Sequence, residues 1–73
     1  MNLRRIEAFL AVADARNISR AAAQIEVAQS VVSRHVAALE SQLGCRLFER
    51  TGRGVALTQA AERLAPRLRA AIE

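Results

Sequence analysis

A mainly α-helical fold with one short β-hairpin is what the sequence predicts, and three observations predict it. Apolar residues recur at helical spacing in four segments of the chain. Two glycines bracket one arginine in Thr51-Gly52-Arg53-Gly54, between two short extended runs, which marks a hairpin tip. The hydrophobic fraction of 52% includes only two phenylalanines and no Trp or Tyr, and much of it is alanine. Such side chains suit close-packed helices and not a sandwich or barrel, which would need more β-branched and aromatic residues. At 73 residues the chain fits one domain, small enough to be marginally stable alone.

The first helix is expected over Asn2 to Ala15, where Leu3, Ile6, Phe9, Leu10 and Ala13 share a face, Asn2 caps the start and Arg16-Asn17 ends it. The second is expected over Ser19 to Ile25, with Ser19 as its N-cap and Ala21, Ala22 and Ile25 as a small apolar face. Glu26-Val27-Ala28 then makes a short connection to a third helix, Gln29 to Leu43, closed by Gly44. Val32, Val36, Leu39 and Leu43 fall within about 60° of a helical wheel and form its buried stripe. Ser30, Arg34, Ala37 and Ser41 take the opposite side, with Ser33 between. Leu47 to Arg50 and Val55 to Leu57 are the two extended pieces around the tip at 51–54. Thr58 caps a last helix running to Glu73, whose apolar stripe is Ala61, Leu64, Ala65, Leu68, Ala71 and Ile72. Pro66 lies inside it, removes the bond from its own nitrogen to the Glu62 carbonyl, and is expected to bend the helix.

Composition excludes several classes. One cysteine, Cys45, allows no internal disulfide and no metal site, and the single histidine, His35, has no ligand partner nearby, so neither metal nor cofactor is expected. Cys45 is expected to pack as a small apolar residue and His35 to be solvated on a helix flank. No apolar run approaches the roughly 20 residues needed to cross a bilayer. The start, Met1 to Arg5, lacks the apolar block of a signal peptide. The reading is a soluble cytoplasmic protein with no membrane partner. With no second histidine, paired acids or glycine-rich phosphate loop, an enzyme with catalytic residues is disfavoured. The net charge is +4 and all eleven basic residues are arginine. Arginine's planar fork suits phosphate and guanine edges. A GC-rich genome would produce the same bias, so the charge permits nucleic-acid binding without requiring it.

The arrangement of the second and third helices carries more information. Two helices joined by a tight turn across Ser19 to Glu40, the second of them longer, form a helix-turn-helix, which places its second helix in the major groove of double-stranded DNA. That helix must pack one face and keep the other polar and low in profile, and Ala37 and Ala38 help to keep it low. Gln29, Ser30, Ser33 and Arg34 occupy its first turns, where base contacts concentrate. Glutamine can bond adenine in two places, and arginine can do so with guanine. Arg53 at the hairpin tip is placed to enter a narrow A·T-rich minor groove. The hairpin is then a wing, and the fold a winged helix-turn-helix over residues 1–57. Ser19 and Arg20 open the second helix, where a phosphate can be held. Arg50 is placed either to contact phosphate or to pair with Glu49 or another surface acid. The apolar last helix, 58–73, either folds back on the first or pairs with a second copy, and a homodimer through Thr58 to Ile72 suits a two-fold DNA site. A protein-interaction module built on that last helix is the alternative from another class.

These residues together resemble the N-terminal DNA-binding domain of LysR-type transcriptional regulators. The resemblance covers essentially the whole chain. It rests on Leu3-Arg4 and Phe9, Ser19-Arg20-Ala21-Ala22, Val27-Ala28-Gln29-Ser30-Val31-Val32-Ser33-Arg34, Leu39-Glu40, Leu43-Gly44, Leu47-Phe48-Glu49-Arg50-Thr51, Gly52-Arg53 and Leu57-Thr58. It implies a winged helix-turn-helix followed by a long linker helix that pairs into a dimer. Leu64, Ala65, Leu68, Ala71 and Ile72 would carry the dimer contacts. It implies major-groove readers at Gln29, Ser30, Ser33 and Arg34 and a wing contact at Arg53; Ser19, Arg20, Arg50 and Thr51 are the expected phosphate contacts. In the family a larger two-lobed domain binds a small-molecule inducer, and the chain is expected to be the DNA-binding part without it. Three positions depart from the family pattern. Ala28 stands where serine or threonine usually caps the recognition helix, Ser30 where proline is frequent, and Ala61 where glycine is usual. A DNA phosphate or Ser30 is expected to complete the missing cap. Another winged-helix repressor, such as the molybdate-responsive type, is the neighbouring reading.

Overall fold

The structure, a computed structural model, describes residues 2–73. Met1, where the segment read for a signal peptide begins, lies outside them. Four helices and one hairpin follow in the order α1 (Leu3–Ala15), α2 (Ile18–Gln24), α3 (Gln29–Leu43), β1 (Phe48–Thr51), β2 (Gly54–Leu57) and α4 (Gln59–Ile72). The expected mainly α fold with a two-stranded wing is the fold observed.

Helix α1 is the central element. Ile6 and every residue from Ala8 to Ala13 are buried, because α2, α3 and α4 all pack against it. Its apolar face is therefore wider than the expected stripe, and Leu3, at its first turn, is 55% exposed and outside the core. Ala8, Ala21 and Ala22 are fully or almost fully buried, and their small side chains let α1 and α2 approach closely. Phe9, Val32, Leu39 and Leu47 fill the centre, and the Phe9 and Phe48 rings meet at 5.5 Å with a 44° tilt. Burying Leu39 or Phe9 contributes about 1.5–3 kcal/mol each by area.

The helix ends follow their side chains. Asn2 Oδ1 accepts the Arg4 N–H at 2.8 Å and starts α1. Arg16 ends it in the left-handed region at φ 55°, its N–H bonded to the Val12 carbonyl. That turn leaves Asn17 extended, and Asn17, not Ser19, is the cap of α2: Asn17 Oδ1 accepts the Arg20 N–H at 2.9 Å. The cap and the helix start consequently lie two residues earlier than expected, and Ser19 lies exposed within the first turn. Asn17→Ala should cost about 1 kcal/mol of stability. Ser19→Ala should stay within about 0.5 kcal/mol, as for an ordinary surface change. Chemical denaturation of both variants checks the assignment, and equal losses would restore Ser19 as the cap.

The C-terminal half holds one further departure, at Cys45. Gly44, at φ 72°, closes α3 as expected. Cys45 follows with its N–H bonded to the Glu40 carbonyl and is exposed, not packed, because Leu47 and Phe48 fill the space beneath. Thr58 caps α4 by accepting the Ala61 N–H at 3.2 Å, and its own hydroxyl donates to the Arg46 carbonyl at 2.7 Å. Helix α4 continues through Pro66 to Ile72. Ala61 is fully buried, so the methyl group at this departure position is accommodated in the core.

Candidate nucleic-acid interface

The turn between α2 and α3 is tighter than its sequence suggests. Ile25 closes α2, Glu26 adopts the left-handed region at φ 59°, and the Val27 N–H returns to the Ala22 carbonyl at 3.0 Å. A non-glycine residue there is strained by roughly 1–2 kcal/mol, and the packing of Ala21, Ala22, Ile25 and Val27 against the core holds it. Ala28 is extended, at φ −70° and ψ 150°, and α3 begins at Gln29 with no side-chain cap. Ser30 accepts no hydrogen bond among the described residues, so it does not supply the missing cap. The first amides of α3 have no partner within the helix. Ala28→Ser should add about 1 kcal/mol of stability by providing an acceptor. A thermal melt checks this, and an unchanged melting temperature would contradict it.

Helix α3 presents two distinct faces. Val32 and Leu39 are buried and Val36 and Leu43 half-buried, while Gln29, Ser30, Arg34, Ala37 and Ser41 are exposed, as expected. Ser33 is half-buried because it turns toward the wing. With Ala37, Arg46 and Arg50 it lines a shallow groove between α3 and β1. His35 is half-buried on the other flank, in a cleft with Arg4, Glu7, Ile25, Val27 and Val31, and so is not the freely solvated residue expected.

The wing is an antiparallel pair in the register Phe48–Leu57, Glu49–Ala56, Arg50–Val55 and Thr51–Gly54. Gly52 and Arg53 form its two-residue tip, and Arg53 is exposed. The Thr51 hydroxyl oxygen accepts the Arg53 N–H at 3.2 Å, so Thr51 shapes the tip whatever else it touches. Arg50 is exposed and pairs neither with Glu49 nor with another acid; among the described residues the one ion pair joins Arg69 to Asp14 at 2.6 Å. The wing is anchored to the body at its second strand, where the Val55 N–H donates to the Arg16 carbonyl at 3.2 Å. Gly54 makes this contact feasible. Its φ is 144°, and a Cβ there would collide with the Arg16 carbonyl oxygen.

The structure thus places Gln29, Ser30, Ser33 and Arg34 in the first turns of α3, sets Arg50 across the groove from Ser33, and leaves Arg53 exposed at the wing tip. Ser19 and Arg20 sit exposed on the first turn of α2. The stripe of α4 is divided. Ala61, Leu64, Ala65 and Leu68 pack against the domain core, with Arg69 paired to Asp14 of α1, whereas Ala71 and Ile72 are exposed. One contributor lay beyond the sequence reading. Glu40, noted there only as part of the family pattern, accepts from two backbone amides at the start of the wing. No helix of the described residues is long and apolar enough to cross a membrane, and they hold no cluster of metal-ligating side chains.

An exposed, polar helix start beside an arginine-tipped hairpin defines a winged helix-turn-helix of the gene-regulatory class. Residues 3–62 match the family described as "Bacterial regulatory helix-turn-helix protein, lysR family", and the chain belongs to that family. A transcriptional regulator of Azotobacter vinelandii, described by its ibpB-leuC intergenic location, is 46% identical over 67 residues, covering 92% of this chain and 46% of the regulator. The CbnR_DBD–DNA complex superposes with a TM-score of 0.94 at 38% identity, covering 99% of this chain and 83% of that one. The BenM_DBD/catB site 1 DNA complex does so with 0.93 at 30% identity, covering 99% and 81%. The chain spans less than half the length of the curated relatives it matches.

Proposed function

We propose that this chain is the sequence-specific DNA-binding domain of a bacterial transcriptional regulator. The carrying observation is the exposed set Gln29, Ser30 and Arg34 at the start of a helix whose opposite face is locked into the core. That start enters the major groove, where Gln29 and Arg34 bond base edges and Ser30 and Ser33 fit between them. Arg53 reads the width of the adjoining minor groove. Ser19, Arg20, Arg50 and Thr51 hold phosphates on either side and fix the register without reading sequence. Superposition on two relatives solved as DNA complexes supports this reading.

The domain works as a homodimer. Ala71, Ile72 and the outer flanks of Leu64, Ala65 and Leu68 give α4 an apolar surface that the core leaves incompletely covered, and a second α4 covers it. Residues 1–57 bind DNA and 58–73 link and pair the copies. Response to a small-molecule inducer belongs, on this reading, to the part of the relatives' length that this chain does not span. The location is the cytoplasm, and the chain is no enzyme. Selection of bound duplexes from a random pool tests the proposal. It should return one half-site repeated in inverted orientation at a spacing of about one helical turn or a multiple of it. Recovery of no enriched sequence would refute it.

A further inference from the structure

We propose that Glu40 is a positioning residue for DNA recognition. From the recognition helix, its carboxylate holds the base of the wing and so fixes where Arg53 stands relative to Gln29, Ser33 and Arg34. This rests on the reading of Arg53 as a minor-groove contact.

The geometry is direct. The Leu47 N–H donates to Glu40 Oε2 at 2.7 Å and the Phe48 N–H donates to the same oxygen at 3.4 Å. Leu47 and Phe48 are buried, so their amides need partners, and an ionised carboxylate is the stronger kind of acceptor. No cation diverts it, since the one ion pair among the described residues lies elsewhere. The other ties of the wing run to different elements. Val55 N–H reaches the Arg16 carbonyl at the end of α1, and Thr58 N–H reaches the Leu47 carbonyl at the start of α4. Glu40 is the hydrogen-bonded link between α3 and the wing. It stands six residues beyond Arg34 on the same helix, about 9 Å along the axis at 1.5 Å per residue. A rigid helix therefore transmits the position of the reading face to the wing through one side chain.

Two variants separate positioning from folding. Glu40→Ala removes the acceptor that ties the wing to α3 and leaves the bonds from Val55 to Arg16 and from Thr58 to Leu47 in place, so the domain should fold with a wing no longer fixed to the recognition helix. Glu40→Gln keeps a neutral acceptor of the same size. Affinities of the unaltered chain, both variants, Arg53→Ala and the double variant Glu40→Ala/Arg53→Ala are measured on duplexes sharing one selected half-site but flanked by A·T or by G·C pairs. The unaltered chain prefers the A·T flank. Glu40→Ala abolishes most of that preference and Glu40→Gln restores it. Once Arg53 is absent, Glu40→Ala costs little more, a non-additivity of at least about threefold. A purely structural role would lower affinity equally on both flanks and add to the Arg53→Ala loss, which overturns the proposal. Absence of any flank preference in the unaltered chain would overturn the minor-groove reading itself, and the positioning role with it.

Discussion

Gly54→Ala should destabilise the domain by about 3 kcal/mol or more, since a backbone conformation closed to L side chains costs roughly 1–3 kcal/mol and a steric collision adds to it. Gly54 holds φ 144°, and a Cβ there would overlap the Arg16 carbonyl oxygen. The same oxygen accepts the Val55 N–H at 3.2 Å. Relief by moving the strand would therefore break the bond that ties the wing to α1. For a domain of this size the loss corresponds to a fall in melting temperature of about 12–24 °C. Gly52→Ala is the control. It adds a Cβ at the same tip where nothing lies within 4 Å, so it should move stability by less than about 1 kcal/mol. Calorimetry or chemical denaturation of the two variants decides the matter, and similar losses for both would show that the Arg16 contact does not constrain the wing.

Arg34→Ala should weaken binding by roughly 1–3 kcal/mol on the selected site and relax preference at one base pair, as expected for loss of a bidentate contact to guanine. Arg34 is exposed on the outer face of α3, and no carboxylate among the described residues pairs with it. The fold should therefore tolerate the change, and the loss should be a binding loss alone. The diagnostic is its distribution over sequences. A penalty confined to duplexes carrying the preferred base marks a base contact. A penalty equal on all duplexes, with a shallower salt dependence, would make Arg34 a phosphate contact and move the reading face elsewhere on the helix.

The third helix was legible because every signal along it agreed. Its buried stripe, its exposed polar side and Gly44 at its end all fix the same 15-residue span that the structure shows. The caps Asn2 and Thr58 were equally plain. The start of the second helix is displaced by two residues from its sequence expectation because Asn17 and Ser19 are both good caps two positions apart. The choice between them is made by Arg16, whose left-handed conformation leaves no mark in the local pattern. Cys45 was misplaced for a related reason: burial after a helix cap depends on which residues refill the core, and Leu47 and Phe48 do so here. Glu40 escaped functional assignment because its partners, Leu47 and Phe48, lie past the end of α3 at Gly44, where helical spacing no longer says which residues meet. The proposed readers at 29–34 stand out as polar residues, mostly exposed, on a face that the packing does not need. What they recognise depends on atoms of the DNA, which no periodicity in the chain records.

The central claim is that α3 reads base edges through its first two turns. The most direct measurement is a fluorescence-anisotropy titration of the chain against a selected duplex and a base-scrambled duplex of the same length, repeated across a salt series. DNA binding by arginine-rich surfaces predicts that affinity for both duplexes falls linearly on a log–log plot as salt rises. Base reading predicts that the selected duplex is preferred at every salt concentration, and that Arg34→Ala reduces this preference. Equal affinity for the two duplexes throughout, or no salt dependence at all, would contradict the account.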